Sequence, residues 1–111
     1  MTVVVVSLRA AVAAVMADVQ ARGAPVGDAG GHAGELETSL MLALAPHLVT
    51  PGSMEPGYTG PLDDAATRLL FANGIAALSA NGVLGDPRGA TPDAGLAYVA
   101  AFLDAVERQL R

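Results

Sequence analysis

The stretch GGHAGELETSL, residues 30–40, gathers the side chains best suited to chemistry. His32 sits among Gly30, Gly31 and Gly34, and glycine lets a backbone come close to a ligand. Imidazole titrates near neutral pH, so it can take up and return a proton during bond cleavage. The helix start that follows offers free N–H groups to an anion or a developing oxyanion. A nearby carboxylate can orient the imidazole and support its charged form. Glu35 and Glu37 are the candidates. Two positions apart on a helix, they point to different faces. Helix-start electrostatics explains both equally well, and for Glu35 it is the simpler role. Thr38 and Ser39 read as helix-surface hydroxyls. A Ser39–His32 nucleophile–base pair is geometrically open, but no nucleophile-elbow motif supports it.

Other chemistries find less support. The two histidines, His32 and His47, lack H-x-H, H-x-x-x-H or H-E-x-x-H spacing, so a metal site within this chain is not expected. His47, next to Pro46, reads as a surface residue. There is no cysteine, which excludes disulfides and thiolate zinc sites and makes the cytoplasm the default compartment. Asp86–Pro87 reads as a turn and Arg88 as a solvated cation. No G-x-G-x-x-G follows the first apolar run, which argues against a flavodoxin-like phosphate site. Net charge is −5 and all six cations are arginine. That disfavours nucleic acid, which needs clustered cations, and a polybasic membrane surface.

The elements that must position these residues can be read from periodicity. A chain of 111 residues suits one small domain, and its 52% hydrophobic content makes burial ample and disorder unexpected. Residues 3–6, VVVV, predict a strand buried on both faces. Leu8, Val12, Val15 and Val19 form one helical stripe, closed by Gly23 and Pro25. This opening lacks a cationic leader, and Arg9 and Asp18 interrupt it too soon for a membrane span. A short strand is expected around residues 24–26 and a second helix over 34–45, ended by Pro46. Residues 49–61 read as an ordered loop anchored by Met54 and Tyr58. A third helix runs over 62–72 with Asp64 and Arg68 spaced as an i,i+4 pair and Asn73–Gly74 as its C-cap. Residues 75–79 predict another buried strand. Thr91, Pro92 and Asp93 start the last helix. The sum is an α/β chain with too few strands to cover four apolar helices, so its sheet is incomplete.

Two stretches carry a family resemblance. HAGELETSLMLALAPHLV, residues 32–49, resembles the creatininase family of amidohydrolases, whose hallmark is H-A-G-E-x-E-T-S-x-M-L-x-L-x-P-x-L-V. NGVLGDPRGATPDAG, residues 81–95, is similar to the family's G-V-x-G-D-P-x-x-A-T segment. The resemblance implies a three-layer α/β/α fold, incomplete here. Residues 1–111 would be a single partial domain, with 1–27 as its strand–helix opening and 28–111 as the family-like C-terminal part. It implies hydrolysis of a non-peptide or cyclic C–N amide bond in a small-molecule substrate, at a dinuclear zinc or manganese centre. His32 falls on the family's catalytic, proton-shuttling histidine, and Glu37 and Glu35 take supporting roles. The family's ligand segments, E-x-H-G and an N-G-H-G-G-N-like loop, have no counterpart, and Ser7–Leu8 stand where that loop belongs. Gly31 replaces an acidic residue found in creatininase itself, and there is no Trp to cover the substrate. The chain is therefore expected to lack the metal-ligand half and to be inactive alone, working as a homo-oligomer or with a full-length relative. The rival expectation is a non-catalytic domain that associates with such relatives.

Overall fold

Four main helices form where periodicity and capping place them in the computed structural model, which describes residues 1–111. Helix α1 spans Leu8–Ala21 and starts at Ser7, whose side chain accepts the Ala10 N–H. A single turn, α2, covers Val26–Ala29. Helix α3 spans Glu35–Leu44, and Pro46 follows it into a 3-10 turn over Pro46–Leu48. Helix α4 spans Asp64–Asn73 and ends at Gly74, whose φ of 83° is the left-handed geometry glycine adopts freely. Helix α5 spans Pro92–Leu110 behind the Thr91 cap, which accepts the Ala94 N–H at 3.1 Å.

The expected strands do not form, and no sheet exists among these residues. The β-branched run Val3–Val6 makes no backbone hydrogen bond, and Val3 and Val5 are 71% and 88% exposed. A strand exists only through a neighbouring strand, and the chain offers none here. Residues 75–77 form a 3-10 turn instead, because their amides bond locally: Leu78 and Ser79 both donate to the Ile75 carbonyl. At 24–26, Pro25 caps α2 rather than joining a strand. One isolated antiparallel bridge remains, between His32 and Leu84.

The core lies where α1 and α3 pack on α5. Val15, Val19, Ala29 and Tyr98 form its centre, flanked by Leu36, Leu40 and Phe102. Gly95 permits the α3–α5 contact, since a Cβ there would lie 1.9 Å from the Ser39 carbonyl oxygen. The Asp64–Arg68 pair is not formed; Asp63 instead caps α4 by accepting the Ala66 N–H at 2.9 Å.

Candidate functional site

Two loops cross at the start of α3, and they belong to the two stretches singled out in the sequence. Leu84 N–H donates to the His32 carbonyl at 2.8 Å, and Gly31 N–H donates to the Leu84 carbonyl at 2.8 Å. Asp86 N–H donates to the Asp28 carbonyl at 2.9 Å. Gly30, at φ 67°, lies so close that a Cβ there would meet the Leu84 carbonyl oxygen at 1.7 Å. Ala33 is the one non-glycine residue with a positive φ, 55°. Such a backbone costs energy and persists only where its surroundings hold it.

Glu37 supplies that hold. Its Oε2 accepts the Ala33 N–H at 2.7 Å, and the same oxygen lies 3.9 Å from His32 Nδ1. The ring edge carrying Nδ1 is therefore turned towards a carboxylate, and Nε2 is the nitrogen left for other partners. Both side chains remain open to solvent, His32 at 61% and Glu37 at 51%. The geometry is that of an accessible imidazole at a helix start, 3.9 Å from a carboxylate and beyond hydrogen-bond distance of it.

Glu35 is placed differently. It is buried, and Ser39 Oγ donates to its Oε1 at 2.7 Å. Tyr98 OH, on α5, donates to its two oxygens at 3.1 and 2.9 Å. Ser39 Oγ in turn accepts the Thr91 N–H at 3.1 Å. This satisfied cluster ties the start of α3 to the start of α5. Ser39 is thus wholly buried rather than a surface hydroxyl, and its proton is committed to Glu35. It is no nucleophile for His32. Burial, then the Glu35 hydrogen bond and charge, push the Tyr98 phenol up to about 12, while Arg22 acts weakly against them. Tyr98 was not legible as a site neighbour, although a buried tyrosine hydroxyl always needs a partner.

Arg88 is not a free cation. Its Nη2 lies 2.7 Å from Asp86 Oδ2 and its Nε 3.0 Å from Oδ1. The pairing holds the Asp86 carboxyl below its ordinary range and raises the guanidinium. His47 is exposed in the turn after α3, as expected.

The residues present do not fit a zinc or manganese centre. No three His, Cys, Asp or Glu side chains converge anywhere in the chain. His32 and Glu37 supply two groups, and Glu35 is occupied by hydroxyls. No helix is long and apolar enough to cross a membrane.

The arrangement is a pair of crossed loops carrying an accessible histidine, with no metal-binding cluster. The chain matches the Creatininase family, described as creatinine amidohydrolase, over residues 2–110, and it belongs to that family. The mycofactocin precursor peptide peptidase of Mycobacterium ulcerans (strain Agy99) is 40% identical over 80 residues, covering 70% of this chain and 32% of that protein. The protein of the same description from Mycolicibacterium smegmatis (strain ATCC 700084 / mc(2)155) is 41% identical over 70 residues, 63% of this chain and 28% of that protein. The matched stretch thus spans about a third of the length of these relatives. No solved structure matches the chain.

Proposed function

We infer that this chain carries the proton-transfer side of a creatininase-family amidohydrolase site. The observation behind it is the shared Glu37 oxygen, which holds the strained Ala33 turn and faces His32 Nδ1. An imidazole so placed takes a proton at Nε2 from attacking water and returns it to the leaving amide nitrogen. The resulting imidazolium gains support from Glu37. No side chain caps the start of α3, and its free N–H groups suit a developing oxyanion. Glu35 acts through position: with Tyr98 and Ser39 it fixes the helix end from which the turn springs. The bond cleaved is a C–N amide. The named relatives are peptidases, which makes a peptide amide a candidate beside a small-molecule amide.

The divalent metal that the family implies has no cage here, so no step is assigned to it. In this reading the ligands, and the strands that complete an α/β layering, come from polypeptide other than these 111 residues, and the chain alone is inactive. The test is hydrolysis of formamide, creatinine and a short peptide by the purified chain, alone and mixed with a full-length relative, with zinc and manganese content measured in parallel. Activity that appears only in the mixture and is lost in His32→Ala supports the reading. Stoichiometric metal with turnover by the chain alone overturns the inactivity; turnover indifferent to His32→Ala overturns the histidine's role.

A second reading rests on a different observation. Val3–Val6 is unpaired, and an apolar groove of about 400 Å³ lies open between α1, α3 and α5. A non-catalytic domain that docks on full-length relatives through these surfaces would have both. Co-sedimentation with a relative in which the chain changes neither turnover nor its His32 dependence supports this reading over the first.

A further inference from the structure

His32 is held through its backbone. Its carbonyl accepts the Leu84 N–H at 2.8 Å, and its own N–H donates to the Leu84 carbonyl at 3.3 Å. The stretch 83–85 is bonded on its other side as well. Tyr58 N–H donates to the Val83 carbonyl at 2.9 Å, and Gly57 N–H to the Gly85 carbonyl at 3.0 Å. Leu84 thus bonds one way, to the histidine loop, while Val83 and Gly85 bond the other way, to 57–58. That is the alternation of a paired strand, here only three residues long.

So short a pairing gains from a clasp at its end, and the Asn81 side chain is one. Its Oδ1 accepts the Val83 N–H at 3.1 Å and the Ser79 hydroxyl at 2.8 Å. Its Nδ2 donates to the Pro56 carbonyl at 3.1 Å. Two donors converge on Oδ1, so the amide fits only one way round, with Nδ2 turned to Pro56. One side chain therefore joins the residue before Gly57 to the residue before Leu84. The turn beneath is shaped to present it. Gly82 takes φ 80° and donates its N–H to the Ser79 carbonyl at 3.2 Å. Ser79 is buried, and Gly57 leaves room for it: a Cβ there would lie 2.8 Å from Ser79 Oγ. Asn81 itself is exposed, so it contributes hydrogen bonds and little burial.

We propose that Asn81 is a positioning residue for the loop that carries His32. It closes the pairing of 83–85 with 57–58 and so fixes Leu84, to which His32 is bonded. The proposal rests on the reading of His32 as the proton-transfer group and adds the residue that sets where that group stands.

Amide hydrogen exchange and histidine-ring NMR on the full chain test it. In Asn81→Ala the amides of Leu84, Gly31 and Tyr58, none of them bonded to Asn81, should exchange about ten-fold faster. Amides within α5 should keep their rates, and the urea midpoint should scarcely move. The His32 ring signals should shift, while those of His47, in the turn after α3, stay in place. Val19→Ala, a core substitution, should do the reverse: it lowers the urea midpoint and leaves the His32 ring signals unchanged. Ser79→Ala removes the hydroxyl that orients the amide and should reproduce the Asn81→Ala pattern at about three-fold; it decides the matter if Asn81→Ala fails to fold. Parent-like exchange at Leu84 and Gly31, ring shifts equal at His32 and His47, or the same ring shifts in Val19→Ala overturn the proposal. Exchange is read without turnover, so the two readings fail separately. A missing clasp effect sinks only the role of Asn81, and hydrolysis indifferent to His32→Ala sinks only that of the histidine.

Discussion

The two sides of α3 are finished to different degrees. At its N-terminal end, loops 30–34 and 84–86 are locked by backbone hydrogen bonds, and buried Glu35, Ser39 and Tyr98 satisfy one another. No buried side-chain polar atom in the chain lacks a partner. Along its flank, Leu40 and Leu44 face an open groove shared with Val12, Val99 and Leu103. An open apolar surface of that kind suits packing by a further segment or chain. The polar crossing is therefore self-contained, whereas the apolar flank is left open. Perturbation should hurt the first and spare the second.

The largest effect is expected from Gly30→Ala. The added Cβ would collide with the Leu84 carbonyl oxygen in a left-handed backbone, forcing the loops apart. A loss of at least about 3 kcal/mol is expected from urea unfolding. Gly23→Ala, also at positive φ but with nothing within 4 Å of its Cβ, should cost only about 1 kcal/mol. Equal costs would show that the crossing is not rigid.

Tyr98→Phe should come next, at about 2 kcal/mol, because it strips the phenol donor from a buried carboxylate. The same contact has a pH signature. The folded phenol is raised to about 12, above its ordinary value of 10. The native state therefore holds that proton more tightly than the unfolded chain. Its contribution is complete below pH 10 and is lost as pH rises towards 12. A raise of that size corresponds to about 2–3 kcal/mol. Unfolding midpoints measured from pH 9 to 12 should fall for the parent chain, and less steeply for Tyr98→Phe.

This contrast also explains what the sequence could say. Helices α1, α3, α4 and α5 were legible because their signals are local: an apolar stripe, Pro46 after α3, the Gly74 cap, and Thr91 before Pro92. Strands were not, because VVVV at 3–6 and IAALS at 75–79 have strand composition but no partner in the chain. Composition states a preference, and pairing makes the strand. His32 and the glutamates Glu35 and Glu37 could be picked out by residue type and spacing, but not that Glu37 is the one lying 3.9 Å from the ring. The Glu35–Tyr98 contact could not, since its partners lie 63 residues apart and meet only once α5 docks. Ser39 was misplaced for the same reason: a helical serine looks exposed until a glycine, Gly95, lets the next helix press on it.

The smallest effect is expected on the unfinished flank. Val5 is 88% exposed and makes no backbone hydrogen bond, and Val12 is 43% exposed on the groove rim. Lysine at either position removes little buried surface, so Val5→Lys and Val12→Lys should each shift the isolated chain's stability by no more than about 0.5 kcal/mol. Association should behave otherwise. A strand that lends its edge to a partner, or a groove that receives one, is disabled by a charge that the neighbour must bury. In sedimentation against a full-length relative, both variants should lose the complex while their unfolding curves overlay the parent's. A stability loss in the isolated chain as large as that of Tyr98→Phe would instead mean that this flank is already packed, and that the division between a finished and an unfinished side of α3 is false.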